Sequence, residues 1–372
     1  MKICYISSTF FSDSDLGILQ NLATTNEVCY GIVVPYKNNN FSTEELDRCV
    51  YSGNSTLVKQ EVILKRRTRN PLNILSYIKW VKTLKVNKYD IVYINHTEDF
   101  FLSMVLCLFI QKKFFIYGVH DALGHGGLRT NFLMKKANEM LITRSRSLLA
   151  FSNSQSNILL KGFPKKEVFT IPLALKHFGD SNEIDSNCDT IQFLFFGNIA
   201  AYKGLDILLK AVKNLSRKYK NFGLTIAGRC PDWDTTYLPM IDNEMPVDAH
   251  IRFIDNSEIA GFFSNAHYLV LPYKDVTQSG PLMIAYNYDM PVLASKLDGF
   301  EEFLDEGKSG YFFKSESVEE LTSAMELSIL RTKEEYVRLK RSTSAYAKNR
   351  FGIEAISAQY MQMFNEVASK VV

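Results

Sequence analysis

The stretch Phe193–Val212, FLFFGNIAAYKGLDILLKAV, decides how this chain is built. An apolar run ends in Gly197 and Asn198. A short loop carries Lys203 and Gly204, and an amphipathic pattern of helical period begins at about Leu205. This reads as a buried strand, a turn and a helix. A continuous apolar run belongs to a strand covered on both faces, as in a parallel sheet. Outward from here the alternation repeats, with candidate strands FGLTIAG, HIRFI, HYLVLPY, PVLAS and GYFF. The first half gives KICYI, EVCYGIVV, DIVYINH, KKFFIYGVH and SLLAFSN, separated by helix-length segments. Between the halves, LKHFGDSNEIDSNCDT is polar and fits a linker. The expected architecture is α/β: two doubly wound domains facing across a cleft, with ligands at the carboxyl ends of the strands. The predicted boundaries are 1–175, a linker 176–190, and 191–345, followed by a helical C-terminal segment in which Gly352 marks a bend.

Composition narrows the class. The chain has 372 residues, 46% hydrophobic and 22% charged, with a formal net charge of +3. This is a soluble globular composition without a nucleic-acid signature. Cys4, Cys29, Cys49, Cys107, Cys188 and Cys230 are scattered without metal-ligand spacing, as expected of reduced thiols in a cytoplasmic protein. The N-terminus is too polar for a signal peptide and reads as a first strand, Lys2–Ser7, entering a loop. The apolar run Phe100–Ile110 is too short to span a bilayer and reads as a buried helix. Residues 59–88 are strongly basic, from Lys59, Lys65, Arg66, Arg67 and Arg69 to Lys79, Lys82, Lys85 and Lys88. Within it, PLNILSYIKWVKTLKVNK (71–88) has apolar residues at helical spacing with lysines between them, and two readings stand: a helix lying on an anionic membrane surface, or an ordinary helix with a solvated lysine face.

Three places carry chemistry. Lys203 lies after a strand and before a helix N-terminus, and Gly197 lets the backbone approach closely, which suits a phosphate. In TQSGPLMIAY (277–286), Pro281 fits the first helical position, with Gly280 as the cap and Ser279 assisting. The amides of Gly280, Leu282 and Met283 are then expected to be left unpaired, as an anion-binding end. A capped core helix is the competing reading. In FFIYGVHDALGHGG, His120 and Asp121 fall at a strand's carboxyl end, and His96 falls similarly on the neighbouring strand. Asp13/Asp15 and Asp232/Asp234 form D-x-D tripeptides, a pattern that can hold a cation and a diphosphate. Here Asp13 and Asp15 are expected to decorate the first loop, and Asp232 and Asp234 a surface turn.

In order and separation, FFGNIAAYKGLDILLKAV, LTIAGR, SNAHYLVLPY and TQSGPLMIAYNYDMPVLASKLDGFEEFLDEGKSGYFF resemble the retaining glycosyltransferases of family 4, of GT-B fold. The match runs roughly from Ile191 to Ala324. KICYIS and GVHDALGH resemble the first domain more loosely. RFGIEAISAQYMQMFNEV resembles the closing helix (346–372) that crosses back onto the first domain. The resemblance implies a nucleotide-sugar donor on the second domain and an acceptor on the first. Lys203 matches the lysine that neutralises the donor diphosphate, His120 the active-site histidine and Gly280 the glycine facing the diphosphate.

Donor-binding positions are then Gly197, Asn198, Lys203, Thr277, Gln278, Ser279, Gly280, Pro281 and Leu282. His120 and Lys203 are the catalytic candidates, and Asp121 and His96 lie on the acceptor side. There are departures. Asn198 replaces the family arginine, Thr277 and Ala285 stand where the pair of glutamates falls, and SSTFFSDSDLG replaces a Gly-Gly loop. The implied activity is transfer of a sugar, without metal or cofactor, to a glycan or lipid-linked saccharide in surface-polysaccharide synthesis. The expected location is cytoplasmic or peripheral on the inner face of the membrane. The alternatives are a metal-dependent GT-A transferase using a D-x-D pair, a nucleotide-sugar epimerase or hydrolase, and a non-catalytic binding module of the same fold.

Overall fold

A computed structural model describes residues 1–36, 41–51, 56–68, 70–95, 97, 99–120, 132–180 and 190–370. The chain divides into two compact units. One comprises Met1–Ala174 with Ile353–Val372, and the other Leu175–Gly352.

In the first unit the strands are β1 (Lys2–Ser8), β2 (Glu27–Val34), β3 (Leu57–Ile63), β4 (Ile91–Asn95), β5 (Phe115–Val119), β6 (Ser147–Ala150) and β7 (Glu167–Thr170). They form one parallel sheet in the order β3-β2-β1-β4-β5-β6-β7. The helices are α1 (Ser12–Leu22), α2 (Thr43–Tyr51), α3 (Asn73–Leu84), α4 (Phe100–Phe109), α5 (Phe132–Arg144) and α6 (Asn153–Gly162). The order reverses between β1 and β4, so a topological switch point lies at their carboxyl ends, Ser8 and Asn95. One face of the sheet buries Ile6, Val92, Ile94 and Phe115 with Trp80 and Leu106 of α3 and α4. On the other, Tyr5 packs against Tyr30 and Tyr93, and Tyr93 against Tyr360.

The second unit has β8 (Ile191–Phe196), β9 (Phe222–Ala227), β10 (Val247–His250), β11 (Tyr268–Leu271), β12 (Val292–Lys296) and β13 (Gly310–Lys314), parallel in the order β10-β9-β8-β11-β12-β13. Its helices are α7 (Leu205–Ser216), α8 (Trp233–Thr236), α9 (Asn256–Ser264), α10 (Gly280–Asn287), α11 (Asp298–Glu301), α12 (Val318–Ile329) and α13 (Lys333–Phe351). The switch point falls between β8 and β11. A final helix, α14 (Ile353–Ser369), belongs to the first unit, where it packs on α1. The chain passes from one unit to the other at Gly352, directly after α13.

Both halves are doubly wound parallel sheets, and several local readings change. HIRFI is not the strand; β10 is the preceding segment Val247–His250, and the chain leaves the sheet where HIRFI begins. β3 and β7 carry weak apolar signals and lie outside the strand pattern that the sequence shows. β7 is half-buried along its whole length, as an edge strand is. Ser7 does not enter a loop, because a single 3-10 turn (Thr9–Phe11) leads straight into α1. The apolar helix α4 is covered on one side only, and Leu108 is 73% exposed. Within the basic segment, the helix expected over 71–88 is α3, and the residues before it include a strand. Lys59 lies in β3, its ammonium held by Asp47 at 2.6 Å and Glu61 at 2.8 Å, whereas Lys79 and Lys82 stand exposed on α3. Among the described residues no helix is long and apolar enough to cross a membrane. Cys4, Cys29, Cys107 and Cys230 are free thiols.

Candidate functional site

The site in the second unit forms at the carboxyl ends of β8 and β11, which pair side by side. Gly197 directly follows β8 with φ 105°, a left-handed conformation that glycine adopts without strain. A Cβ there would stand 3.1 Å from Lys203 Nζ and 3.5 Å from Pro281 Cγ, so all three converge on one point. Lys203 ends a 3-10 turn, and Gly204, at φ 66°, swings the chain into α7. A Cβ on Gly204 would lie 1.9 Å from the Pro272 carbonyl oxygen, so only glycine fits that approach.

Lys203 is 8% exposed. Burial lowers its pKa, with Tyr202 opposing the shift, and among the described residues no carboxylate pairs with it. Nearby Asp206 is engaged by Lys274 at 3.1 Å. The Lys203 ammonium rests 5.3 Å from the centroid of the Tyr273 ring, a weak substitute for an anion. Among the described residues the buried Tyr273 hydroxyl has no partner at hydrogen-bonding geometry, although the Ser279 hydroxyl is close enough to offset part of the effect of burial on its pKa.

The N-terminus of α10 meets the same place, with a corrected cap. Ser279 is the N-cap, its Oγ accepting from the Leu282 amide at 3.3 Å; Gly280 is the first helical residue and Pro281 the second. The Leu282 amide is therefore consumed by the helix and not left for a ligand. A Cβ on Gly280 would lie 3.5 Å from Lys176 Nζ, and Lys176 is as buried as Lys203. Sequence reasoning missed Lys176 by placing it in a linker. The apolar stretch IPLAL before it was the available signal that the backbone there is packed. Thr277 and Gln278 are half-buried and Asn198 is exposed. Ala285 is wholly buried, and its methyl offers a ligand no polar contact.

In the first unit, His120 directly follows β5. Its Nε2 lies 2.8 Å from Asn95 Oδ1, and its ring stacks between Phe11 at 4.5 Å and Phe151 at 4.1 Å. Asn95 in turn donates to Asp15 Oδ1 at 2.6 Å, and the Tyr5 hydroxyl donates to the same oxygen at 2.6 Å. Asp13 and Asp15 thus do not decorate a loop. They lie in the first turn of α1, and Asp15 is 1% exposed. Asp232 and Asp234 are exposed at the short helix α8, as a surface turn predicts. Beside His120, Phe10, Phe11, Phe100, Phe101 and Leu133 line a cavity of about 320 Å³, with Ser7 and Ser8 at the end of β1. His96 and Asp121 lie outside the described residues.

With this geometry in place, likenesses to known proteins become informative. Residues 190–329 match the family model described as glycosyl transferases group 1. An uncharacterized 41.2 kDa protein in the cps region of Klebsiella pneumoniae is 22% identical, covering 93% of this chain and 95% of its own. Alpha-monoglucosyldiacylglycerol synthase of Acholeplasma laidlawii is 22% identical, covering 68% of this chain and 70% of its own. The Anabaena protein HepE, solved with UDP-glucose, superposes with a TM-score of 0.71 at 15% identity, over 98% of this chain and all of its own. The fold is GT-B, and the family match supports glycosyl transfer as the class of activity.

Proposed function

We propose that the chain transfers a sugar, with retention, from a nucleoside-diphosphate-sugar to a hydroxyl of a glycan or lipid-linked saccharide in surface-polysaccharide synthesis. The observation that carries this reading is the buried Lys203 ammonium, unpaired with any described carboxylate and facing Gly197 and the start of α10. A buried cation without an acid is costly in the empty protein, and a ligand that supplies negative charge removes the cost. A diphosphate is such a ligand, and it gains charge as the sugar leaves. Lys203, Lys176 and the Gly280 amide would stabilise that charge where it develops. Lys176 then replaces the family arginine that Asn198 lacks. The leaving phosphate takes the acceptor's proton, so neither a protein base nor a metal is invoked.

On the first unit, the cavity beside His120 receives an apolar part of the acceptor. Its phenylalanine lining favours a lipid-linked saccharide over a free glycan. The name of the Acholeplasma relative, a synthase of a glucosyldiacylglycerol, is consistent with that choice. Exposed Leu72 and Leu75 beside Lys79 and Lys82 would hold the protein at an anionic membrane. The absence of a carboxylate at both Thr277 and Ala285 favours one second reading, a non-catalytic module that binds nucleotide sugars. Turnover measured with radiolabelled donor and extracted lipid-linked acceptors separates the two. Label transfer lost in Lys203→Met supports the transferase, whereas donor binding with no transfer to any acceptor contradicts it.

A further inference from the structure

We infer that Asp15 is a positioning residue that fixes the proton of neutral His120 on Nε2, acting through the side-chain amide of Asn95. The link has a polarity. Asn95 Nδ2 lies 2.6 Å from Asp15 Oδ1, and Asn95 Oδ1 lies 2.8 Å from His120 Nε2. A carboxylate only accepts hydrogen bonds, so it must face the NH₂ of the amide. The Tyr93 hydroxyl, donating to Asn95 Oδ1 at 3.3 Å, agrees with this orientation. Turning the amide over would set its oxygen against a carboxylate oxygen. With the amide held, an acceptor faces the imidazole, and only Nε2–H satisfies it. Nδ1 is then the acceptor nitrogen, and the stack between Phe11 and Phe151 holds the ring plane.

Among the described residues, Asn95, itself 2% exposed, links Asp15 to His120. Burial pushes the Asp15 carboxyl up to about 7, while hydrogen bonds from Ser7, Tyr5 and Asn95 hold it down. Once protonated it can donate, and the polarity argument lapses. The groups facing it are Asp13 on its own helix, Tyr5, Tyr30 and Tyr93 on the strands, and Tyr360 on α14. Burial holds all four phenols well above neutrality, so they do not compete for the proton. In the proposed transferase, an Nδ1 acceptor takes a hydrogen bond from a sugar hydroxyl. That use rests on the functional reading above, but the tautomer does not.

The test is ¹⁵N imidazole NMR on the full chain with ¹⁵N-labelled histidine, the His120 signals being identified by their loss in His120→Gln. At about pH 8.5, above the ordinary histidine pKa, wild-type His120 is expected to be wholly Nε2–H, beyond the mixture of a solvated histidine. In Asp15→Asn, whose amide can face either way, and in Asn95→Leu, the tautomer ratio falls about tenfold, the factor one net hydrogen bond supplies. Circular dichroism and thermal melting establish that each variant is folded. A mixed or Nδ1–H wild type overturns the proposal, as does an unchanged ratio in either folded variant. Should neither variant fold, the wild-type spectrum decides alone. Because no donor or acceptor enters the experiment, its failure leaves the transferase reading to its own test.

Discussion

Lys203 shows most clearly what a single residue contributes. An ammonium that is 8% exposed, with no described carboxylate beside it, stabilises nothing in the empty protein. Lys203→Met keeps the length of the side chain and removes the charge. It is expected to raise the melting temperature of the ligand-free protein while cutting turnover on the order of 10²-fold or more. A variant less stable than wild type when empty would show that the ammonium is structural. Lys176→Ala is expected to weaken nucleotide-sugar binding about tenfold, the loss typical of a hydrogen bond to a charged group, and calorimetry with the donor measures it. Lys203 could be recognised in the sequence because strand, glycine, lysine and helix are neighbours in the chain. Lys176 could not, because its place beside Gly280 is made by tertiary contact across more than a hundred residues. Asp15 was misread for a related reason. Its partners Tyr5 and Asn95 lie on two strands, and only their pairing in the sheet encloses the carboxyl.

At the scale of elements, α10 and α1 do opposite things with their first turns. In α10, Ser279 spends its hydroxyl on the Leu282 amide, so Ser279→Ala should cost about 1 kcal/mol in chemical denaturation. In α1 the first turn places Asp15 against a tyrosine-lined sheet face. Its folded pKa of about 7 lies above the unfolded value near 3.8, so the folded state holds its proton more tightly. Stability attributable to Asp15 is thus greatest below about pH 4 and is lost as pH rises towards 7. Buried His267, lowered to about 4, acts the other way: its neutral form is favoured, and stability is lost as pH falls from the ordinary histidine range towards 4. The difference in melting temperature between wild type and Asp15→Asn isolates the first effect. It should move in favour of Asp15→Asn between about pH 4 and 7, and a difference independent of pH would contradict the assignment. The long buried strands were visible as apolar runs. The edge strands β3 and β7 and the register of β10 were not, because pairing rather than composition defines a half-exposed strand.

For the whole molecule, alternating strands and helices indicated two doubly wound sheets, and the order of motifs from Ile191 onward indicated a GT-B fold before any contact was known. The sugar, the base and the acceptor are not written at that level, because Thr277 and Ala285, which stand where the resembled family carries glutamates, bring no charge that would select a donor. The membrane proposal also belongs to this scale. Co-sedimentation with phosphatidylglycerol vesicles at low salt should fall when Lys79 and Lys82 are both changed to Glu, and no wild-type binding would remove the proposal. The central claim is the donor site itself. It is tested most directly by thermal shift of wild type and Lys203→Met against UDP-, GDP-, ADP- and TDP-sugars. The account predicts that one nucleotide class raises the melting temperature of wild type and that the rise disappears in Lys203→Met. No shift of wild type with any of them, or an equal shift in the variant, would contradict it.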